Sequence, residues 1–372
     1  MDFPLEVVDL IISYCYFNVY ALKASSLVCR SWVPSCRVQL FRHLQLRPTG
    51  RDSPENWNRF LSSSVNIIPY IAEISILCER SSWVVWDPIL PALLGKLQNI
   101  EQIELLGCDL PGFPAPLSSA IYTLFRSPST KCISLRLCVL PSSYSDLFSP
   151  SLDSLLLSDV VLDPEATVAS GEPSHPPRPK CLTIEGKSVT NIIDWLVPSS
   201  EGDELEGLQT LCVKYQGDDE GALKSVERLL QCTGSLKTLD ISLYPACRQY
   251  TPGICQAPRI CYNHQLYDLR LSHFDMDIPS PTNQLPWLGS LLAQMTHLHR
   301  VRKITVDARL RPCPGRPTLD RDGWATIDDI LAGGVHLRDV HIQTSDAYGA
   351  SSADISSSMP AMHAKGILRV SM

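Results

Sequence analysis

The sequence predicts an α/β repeat fold, in which a short amino-terminal three-helix module precedes a solenoid of parallel strands with outer helices. Two observations lead to this prediction. One apolar motif recurs at a step near 30 residues over most of the chain, and segments with helical spacing lie between its copies. At 372 residues the chain is too long for one ordinary core. We predict a helical module at residues 1–42, repeats at 43–343 and a largely mobile tail at 344–372.

The first 42 residues read as three helices. Pro4 opens the first helix, a second lies within residues 20–29, and Pro34 begins a third. Four apolar positions of the first helix share one side, namely Leu5, Val8, Ile11 and Ile12. A module of about 40 residues buries too little to be self-sufficient, so we expect a partner chain to cover its remaining apolar surface.

The repeated motif has the form apolar-x-x-apolar-x-apolar and occurs eleven times. Its central residues are Leu44, Ile74, Ile103, Leu135, Leu155, Leu182, Leu211, Leu239, Leu269, Ile304 and Val340. The steps between these residues are 30, 29, 32, 20, 27, 29, 28, 30, 35 and 36. Because side chains alternate along a strand, each copy predicts a short strand with one buried face.

Helical segments separate the strands. The predicted helices span residues 87–97, 116–125, 191–196, 222–230, 286–298 and 324–331. Alternation of strand and helix predicts parallel strands with crossovers on one side. Stretches rich in Pro, Gly or polar residues at 163–179, 245–263 and 308–322 predict long loops, and in the tail only residues 366–370 hint at another strand.

The motif resembles the leucine-rich repeat, which continues past the strand with an Asn or Cys and a further Leu. The best match is Ile100, Ile103, Leu105, Cys108 and Leu110. Other copies place Leu140, Val160 or Phe274 at the Asn/Cys position. The resemblance implies a solenoid, with a flatter stack of the same strand order as the alternative.

The amino-terminal segment is similar to an F-box, in particular to the variants common in mushroom-forming fungi. The resemblance rests on the run from Phe3 to Ile12, on Val28-Cys29-Arg30-Ser31-Trp32, and on the following Leu40-Phe41-Arg42 element. Two positions depart from the family pattern: Cys15 stands where Leu is usual, and Val19-Tyr20 replaces an acidic residue. Such a module docks on a Skp-type adaptor, which is attached to a cullin in a ubiquitin ligase. The contacts implied here are Pro4, Leu5, Val8, Ile11, Ile12, Val28, Cys29 and Trp32.

Composition and charge weigh against other partners. The net charge of −7 offers no general attraction to nucleic acid, and we interpret the basic stretch between residues 300 and 316 as a solvated rim. The apolar run 7–28 contains Asp9, Asn18 and Lys23, which argues against a membrane span or a secretion signal. The 14 cysteines include no C-x-x-C pair, a usage that fits the reducing cytosol or nucleus.

No motif for catalysis or cofactor binding stands out. Gly186-Lys187-Ser188 lacks the earlier glycine of a phosphate-binding loop, so we interpret it as an exposed turn. Four residues with zinc-ligand chemistry have unfamiliar spacings and read as part of a variable loop: Cys247, Cys255, Cys261 and His264. We therefore predict no enzyme activity, no cofactor and no metal.

The functional prediction is a substrate-recognition subunit of a Skp–cullin–F-box ligase, with a target protein bound by the repeat surface. Two alternatives stay open: a repeat scaffold without ligase association, and an enzyme on an unfamiliar repeat fold. The target itself is not readable from the sequence.

Overall fold

The computed structural model describes residues 4–16, 18–78, 83–142, 148–164, 178–197, 205, 207–216, 220–244, 257–275, 284–294, 300–310, 320–334, 336–346 and 352–371. The chain divides into two compact units, residues 1–177 and 178–372. Strands alternate with helices over most of both units, and every strand pairing among the described residues is parallel. The α/β repeat fold is therefore confirmed, and the boundary predicted at residue 42 lies inside the first unit.

The first unit begins with three α-helices, which continue directly into the sheet. Its helices are α1 (Leu5–Tyr14), α2 (Val19–Ser26), α3 (Val33–Phe41), α4 (Pro54–Ser63), α5 (Trp83–Trp86), α6 (Leu90–Leu94) and α7 (Ala115–Arg126). Short 3-10 helices span Arg30–Trp32, Gly50–Asp52 and Val65–Tyr70. The carbonyl of Arg42, just after α3, accepts hydrogen bonds from the N–H groups of Ala72 and Glu73 (2.9 Å each), which ties the helical module to the repeats.

The strands of the first unit form two sheets. They are β1 (His43–Leu46), β2 (Glu73–Leu77), β3 (Gln102–Leu106), β4 (Cys132–Arg136), β5 (Val139–Pro141), β6 (Ser154–Ser158) and β7 (Val161–Asp163). The main sheet has the order β1-β2-β3-β4-β6, and β5 pairs with β7 alongside it. Both sheets are parallel, as the alternation of strand and helix predicts.

The second unit continues the plan with seven described strands and six described helices. Its strands are β8 (Cys181–Glu185), β9 (Thr210–Gln216), β10 (Thr238–Tyr244), β11 (Asp268–Asp275), β12 (Lys303–Leu310), β13 (Asp339–Asp346) and β14 (Leu368–Ser371). The helices are α8 (Val189–Leu196), α9 (Glu220–Gln231), α10 (Leu285–Ala293), α11 (Arg321–Ala332), α12 (Ser352–Ser358) and α13 (Pro360–Ala364). All six helices predicted between repeats are present, with ends that differ by a few residues.

The register of the strands confirms the repeat. Leu44 pairs with Ile74, which pairs with Ile103, and in the second unit the pairing runs from Leu182 through the predicted central residues to Val340. These central residues are almost completely buried. The motif therefore marks the inward face of the strands, where apolar side chains meet the helices.

In one repeat the predicted central residue, Leu135, lies two residues beyond the position equivalent to the other central residues. Ile103 pairs with Ile133, not with Leu135, and Leu135 pairs with Leu105. A shift of two residues keeps the same face of a strand, so the apolar pattern by itself allows either phase. Leu137, which completed the predicted motif, lies beyond the strand and is 61% exposed.

The turn after the strand has a recurring left-handed residue. Gly107 follows β3 with φ +70°, Leu137 follows β4 with φ +53°, and Asp159 follows β6 with φ +50°. Glycine accepts this backbone conformation without strain, whereas leucine does not.

The prediction of a largely mobile tail is wrong for residues 352–371. These residues form α12, α13 and β14, and β14 pairs with β13 through Val340 and Leu368 as a further copy of the repeat. Ile355, Met359 and Met362 are fully buried. Apolar residues spaced through a Ser-rich segment are enough to bind it to the neighbouring repeat. Of the three predicted loops, residues 165–177, 245–256 and 311–319 lie outside the described residues.

Candidate partner-binding surface

The eight predicted contact residues fall into two groups. Val8 is 3% exposed and Ile12 is fully buried, and together with Leu22 and Cys36 they form the core of the three-helix module. Trp32 is half-buried and packs against this core. The other five, Pro4, Leu5, Ile11, Val28 and Cys29, are exposed. The structure thus assigns Val8 and Ile12 to the interior and leaves six of the eight at least partly accessible.

Helix α1 carries apolar residues on both of its sides. Val8 and Ile12 stand one turn apart on the side that faces the core. On the far side Val7, Leu10 and Tyr14 follow the same helical spacing, and they are 39%, 57% and 83% exposed. An amphipathic surface helix has one apolar stripe, and the second stripe on α1 is not covered by any residue that the structure describes.

Helix α2 and the segment after it form the second exposed apolar region. Tyr20 is 85% exposed, Leu27 86% and Val28 66%. Asn18 caps α2 by accepting a hydrogen bond from the N–H of Ala21 (3.0 Å), which fixes where the helix starts. Leu27 comes just after the last turn of α2 and projects into solvent.

Exposed apolar side chains are concentrated in this module. Within the described part of the chain, eleven of the sixteen exposed large apolar side chains lie between residues 5 and 38. We call nine of them the amino-terminal apolar surface: Leu5, Val7, Leu10, Ile11, Tyr14, Val19, Tyr20, Leu27 and Val28. Scattered single apolar residues are normal on a protein surface, whereas contiguous exposed apolar patches are typical of binding sites. The amino-terminal apolar surface is therefore the candidate site.

Six members of this surface are not among the eight predicted contacts: Val7, Leu10, Tyr14, Val19, Tyr20 and Leu27. A signal for them was present in the sequence. Residues 5–14 contain apolar side chains at nearly every phase of the helix, more than one buried stripe requires.

Polar contacts inside the module hold the helices together rather than form a reactive centre. The hydroxyl of Ser35 on α3 donates to the Asp9 carboxylate on α1. The thiol of Cys29 lies 2.9 Å from the Ser31 hydroxyl. Burial raises the pKa of the Cys36 thiol, and the nearby thiols of Cys15 and Cys29 raise it further. Cys36 is thus protonated at neutral pH and acts as an apolar core residue.

Across the first unit the outward sheet face carries a polar chain. Nε2 of His43 lies 2.9 Å from the Ser75 hydroxyl, which donates to the Glu104 carboxylate at 3.0 Å. Arg136 lies 3.7 Å from the same carboxylate. These four residues occupy β1, β2, β3 and β4 in succession, so they offer a ligand polar groups that are already partly engaged with one another.

The second unit has its own candidate surfaces. On the sheet face, Lys214 donates to Glu185 at 2.5 Å. On the helical side, a groove of about 420 Å³ lies between α10 and α11 and is lined by Leu285, Gly289, Ala293, Ile327 and Ile330 among others. These surfaces are accessible to a ligand, and none of them identifies a ligand by its chemistry.

The residues that resemble zinc ligands or a phosphate-binding loop do not come together as a metal site within the described ranges. Among the described residues, no three His, Cys, Asp or Glu side chains come close enough to hold a metal. Cys261 is half-buried and His264 is exposed, while Cys247 and Cys255 lie outside the described residues. Gly186, with φ +111°, forms the turn between β8 and α8, which agrees with the interpretation of Gly186-Lys187-Ser188 as a turn.

The described helices also bear on membrane insertion. In the portion of the chain that the structure covers, no helix combines the length and the apolar character that a membrane span requires.

Comparison with known proteins gives matches only at the level of structure. No protein-family model and no curated protein sequence matches the chain. An internalin from Listeria monocytogenes superposes with a TM-score of 0.34 at 10% identity, over 86% of this chain and 93% of its own. A chain of the Rad7–Elc1 complex from yeast superposes with a TM-score of 0.32 at 13% identity, over 91% of this chain and 75% of its own. At these values the two superpositions carry no argument about function.

Proposed function

We propose that this chain is a non-enzymatic adaptor whose amino-terminal apolar surface binds a Skp-type protein of a ubiquitin ligase and whose repeats bind a target protein. The observation that carries the proposal is the concentration of exposed apolar side chains on a module of three helices. The similarity of the same residues to an F-box supplies the class of partner.

The exposed apolar side chains of the module gain free energy when a partner protein removes them from water. Leu10 and Leu27 are more than half exposed, and burying one such side chain is worth about 1.5–3 kcal/mol. Binding energy of this size from a few central residues is typical of protein interfaces. A groove lined by apolar residues on a partner would therefore bind the module tightly.

The module residues have two roles in this proposal: some pack the interior of the module, and others contact the partner. Val8 and Ile12 fix the packing of α1 against α3, and Trp32 joins that core from the segment before α3. Leu5, Ile11 and Val28 contact the partner. Trp32 has one side on the core and part of its ring accessible, so it serves both purposes.

The mechanism is proximity. A target held by the repeats and a ligase held by the module would be fixed at a short separation, which raises the effective concentration of the ubiquitin-charged enzyme near the target. The chain itself contributes no reacting group. We place this function in the cytosol or nucleus, as expected from the cysteine usage.

The alternative function is a repeat scaffold that does not associate with a ligase. One observation favours it: Val8, Ile12, Leu22 and Cys36 already give the module a small interior of its own. In that case the module would act as the end cap that a repeat array requires.

Co-purification with a Skp-type adaptor separates the two functions. We expect the full chain to bind the adaptor and the Val28→Asp variant to lose at least tenfold in affinity, because a charge would enter an apolar contact. The matched control is Val161→Asp, since Val161 is likewise exposed (51%) but lies on β7. Equal binding by both folded variants, or no binding by the full chain, would leave only the scaffold.

A further inference from the structure

Two buried thiols meet between neighbouring repeats of the first unit. Cys78 follows β2 and Cys108 lies two residues beyond β3, and their Sγ atoms are 2.7 Å apart. Cys78 is 5% exposed and Cys108 is 1% exposed. A disulfide bond is about 2.05 Å long, so a small approach of the two sulfurs would bring them to bonding distance.

The backbone holds these cysteines in place. The N–H of Cys78 donates to the Leu106 carbonyl at 2.8 Å, which extends the ladder between β2 and β3. Gly107, with φ +70°, then turns the chain so that Cys108 comes back beside Cys78. Neighbouring strands lie about 4.7–4.9 Å apart, and the Cα atoms of a disulfide lie about 4.4–6.8 Å apart. The strand spacing applies to Gly107, which follows the Leu77–Leu106 pair opposite Cys78. The approach of Cys108 itself is shown by the 2.7 Å contact between the two sulfurs.

A third thiol lies next in the same row. Cys138 follows β4, is fully buried, and exchanges a hydrogen bond with Cys108. Its Sγ also lies 3.4 Å from the Leu105 carbonyl and 3.2 Å from the Arg136 carbonyl. Cys108 likewise has a carbonyl partner, Leu106 at 3.8 Å. Cys78 is therefore chosen as the partner of Cys108 because of their 2.7 Å sulfur–sulfur contact.

We propose that Cys78 and Cys108 are a modification site, at which a peroxide converts the two thiols into an intramolecular disulfide that links the second and third strands. Cys78 is the more exposed of the pair and reacts first. Its thiolate attacks one oxygen of hydrogen peroxide, the O–O bond breaks, and a sulfenic acid and hydroxide form. The Cys108 sulfur then attacks the Cys78 sulfur, the S–O bond breaks, and the hydroxyl group leaves as water with the Cys108 proton.

The reaction balances as two thiols and one hydrogen peroxide giving one disulfide and two waters. Both sulfurs are oxidised and the peroxide is reduced, and the two thiol protons end in the water molecules. A dithiol reductant reverses the reaction by thiol–disulfide exchange. The bond would close a loop of 30 residues, counted as 108 minus 78, and would stabilise the first unit against unfolding.

The test uses the native full chain, treated with hydrogen peroxide, quenched, alkylated under denaturing conditions and digested with trypsin. Cleavage after Arg80 and Lys96 places Cys78 and Cys108 in separate peptides, and Cys138 falls in a third after Arg136. We expect a linked pair of peptides that carries Cys78 and Cys108, that disappears on reduction, and that raises the melting temperature of the treated chain.

Cys29 is an internal reference for the oxidant because its thiol is exposed. Loss of the linked pair in Cys78→Ser, with retention in Cys138→Ser, supports the proposal. Alkylatable Cys78 and Cys108 in a sample whose Cys29 is fully oxidised would overturn it, as would a dominant link between Cys108 and Cys138. The wild-type chain provides these readouts even if a serine variant fails to fold.

Discussion

The carboxylate of Asp328 on α11 accepts hydrogen bonds from the backbone N–H groups of Ala361 (2.7 Å) and Met362 (2.9 Å) at the start of α13. Asp328 is only 2% exposed. The first N–H groups of a helix have no partner within it, so a buried carboxylate at this point stabilises α13 and joins it to the preceding repeat. This contact adds to the buried apolar side chains and the β13–β14 pairing that hold the carboxyl-terminal segment on the preceding repeat.

We predict that Asp328→Ala loosens the last repeat. Hydrogen bonds to a charged group contribute about 1.5–3 kcal/mol, and their loss would leave two N–H groups unpaired. Hydrogen exchange at Ala361, Met362 and the strand β14 should accelerate while exchange in the first unit stays unchanged. Asp329→Ala is the control, since Asp329 is exposed on the same helix. Equal acceleration in both variants would contradict the capping role.

Two adjacent isoleucines on α1 offer a matched pair. Ile12 is fully buried and Ile11 is 41% exposed. We expect Ile12→Ala to lower the stability of the first unit by about 2–5 kcal/mol because it leaves a cavity in the module core. Ile11→Ala should cost less than about 1 kcal/mol and, under the proposed function, should weaken adaptor binding. Chemical denaturation followed by Trp fluorescence, together with a binding assay, measures both. A stability loss of the same size in the two variants would refute the assignment of sides.

Substitutions at two equivalent left-handed positions, Gly107 and Leu137, should change the stability of the fold in opposite directions. Gly107→Ala should destabilise by about 1–2 kcal/mol because a side chain is strained at positive φ. Leu137→Gly removes such strain from an exposed residue and should stabilise by up to about 1 kcal/mol after the larger entropy loss of glycine is subtracted. Gly234→Ala is the control, since its φ is outside the left-handed region and a Cβ there meets nothing within 4 Å. Melting temperatures of the three variants would show whether the signs hold.

The thiol of Cys212 should resist alkylation at alkaline pH. Burial raises its pKa to about 12, and the carboxylate of Asp240, directly opposite on β10, adds to the shift. At pH 9 only about one thiol in a thousand would be ionised, from the difference between pH and pKa. Mass spectrometry after iodoacetamide treatment at pH 7.5 and pH 9 should show little labelling of Cys212 in the folded chain. The exposed Cys29 is the reference, and labelling of Cys212 at the same rate would contradict its burial.

The same shift has a consequence for stability. The folded state holds the Cys212 proton more tightly than the unfolded state, in which the thiol pKa is about 8.5. The stabilisation of the folded state that comes from this pKa difference is therefore fully present below about pH 8.5 and is lost as the pH rises toward 12. Cys212→Ser should flatten this part of the stability profile.

The sequence determined the repeat by itself. Apolar residues recur with a different period in a strand than in a helix, and this period is visible in the local sequence. Ten of the eleven predicted central residues occupy equivalent positions in the sheets. The exception, Leu135 in place of Ile133, follows from the strand period of two, which leaves a shift of two residues undecided. The amino-terminal helices were predicted for the same local reason, and the partner that they bind stays a prediction.

Only the tertiary structure decided which apolar residues face inward and how distant segments meet. Ile11 and Ile12 are the same residue type, and the packing of α3 against α1 is what buries one and exposes the other. Asp328 and Met362 are 34 residues apart, and Cys78 and Cys108 are 30 apart. Contacts of this kind leave no local period in the sequence, because the free energy that fixes them comes from neighbours brought together by folding.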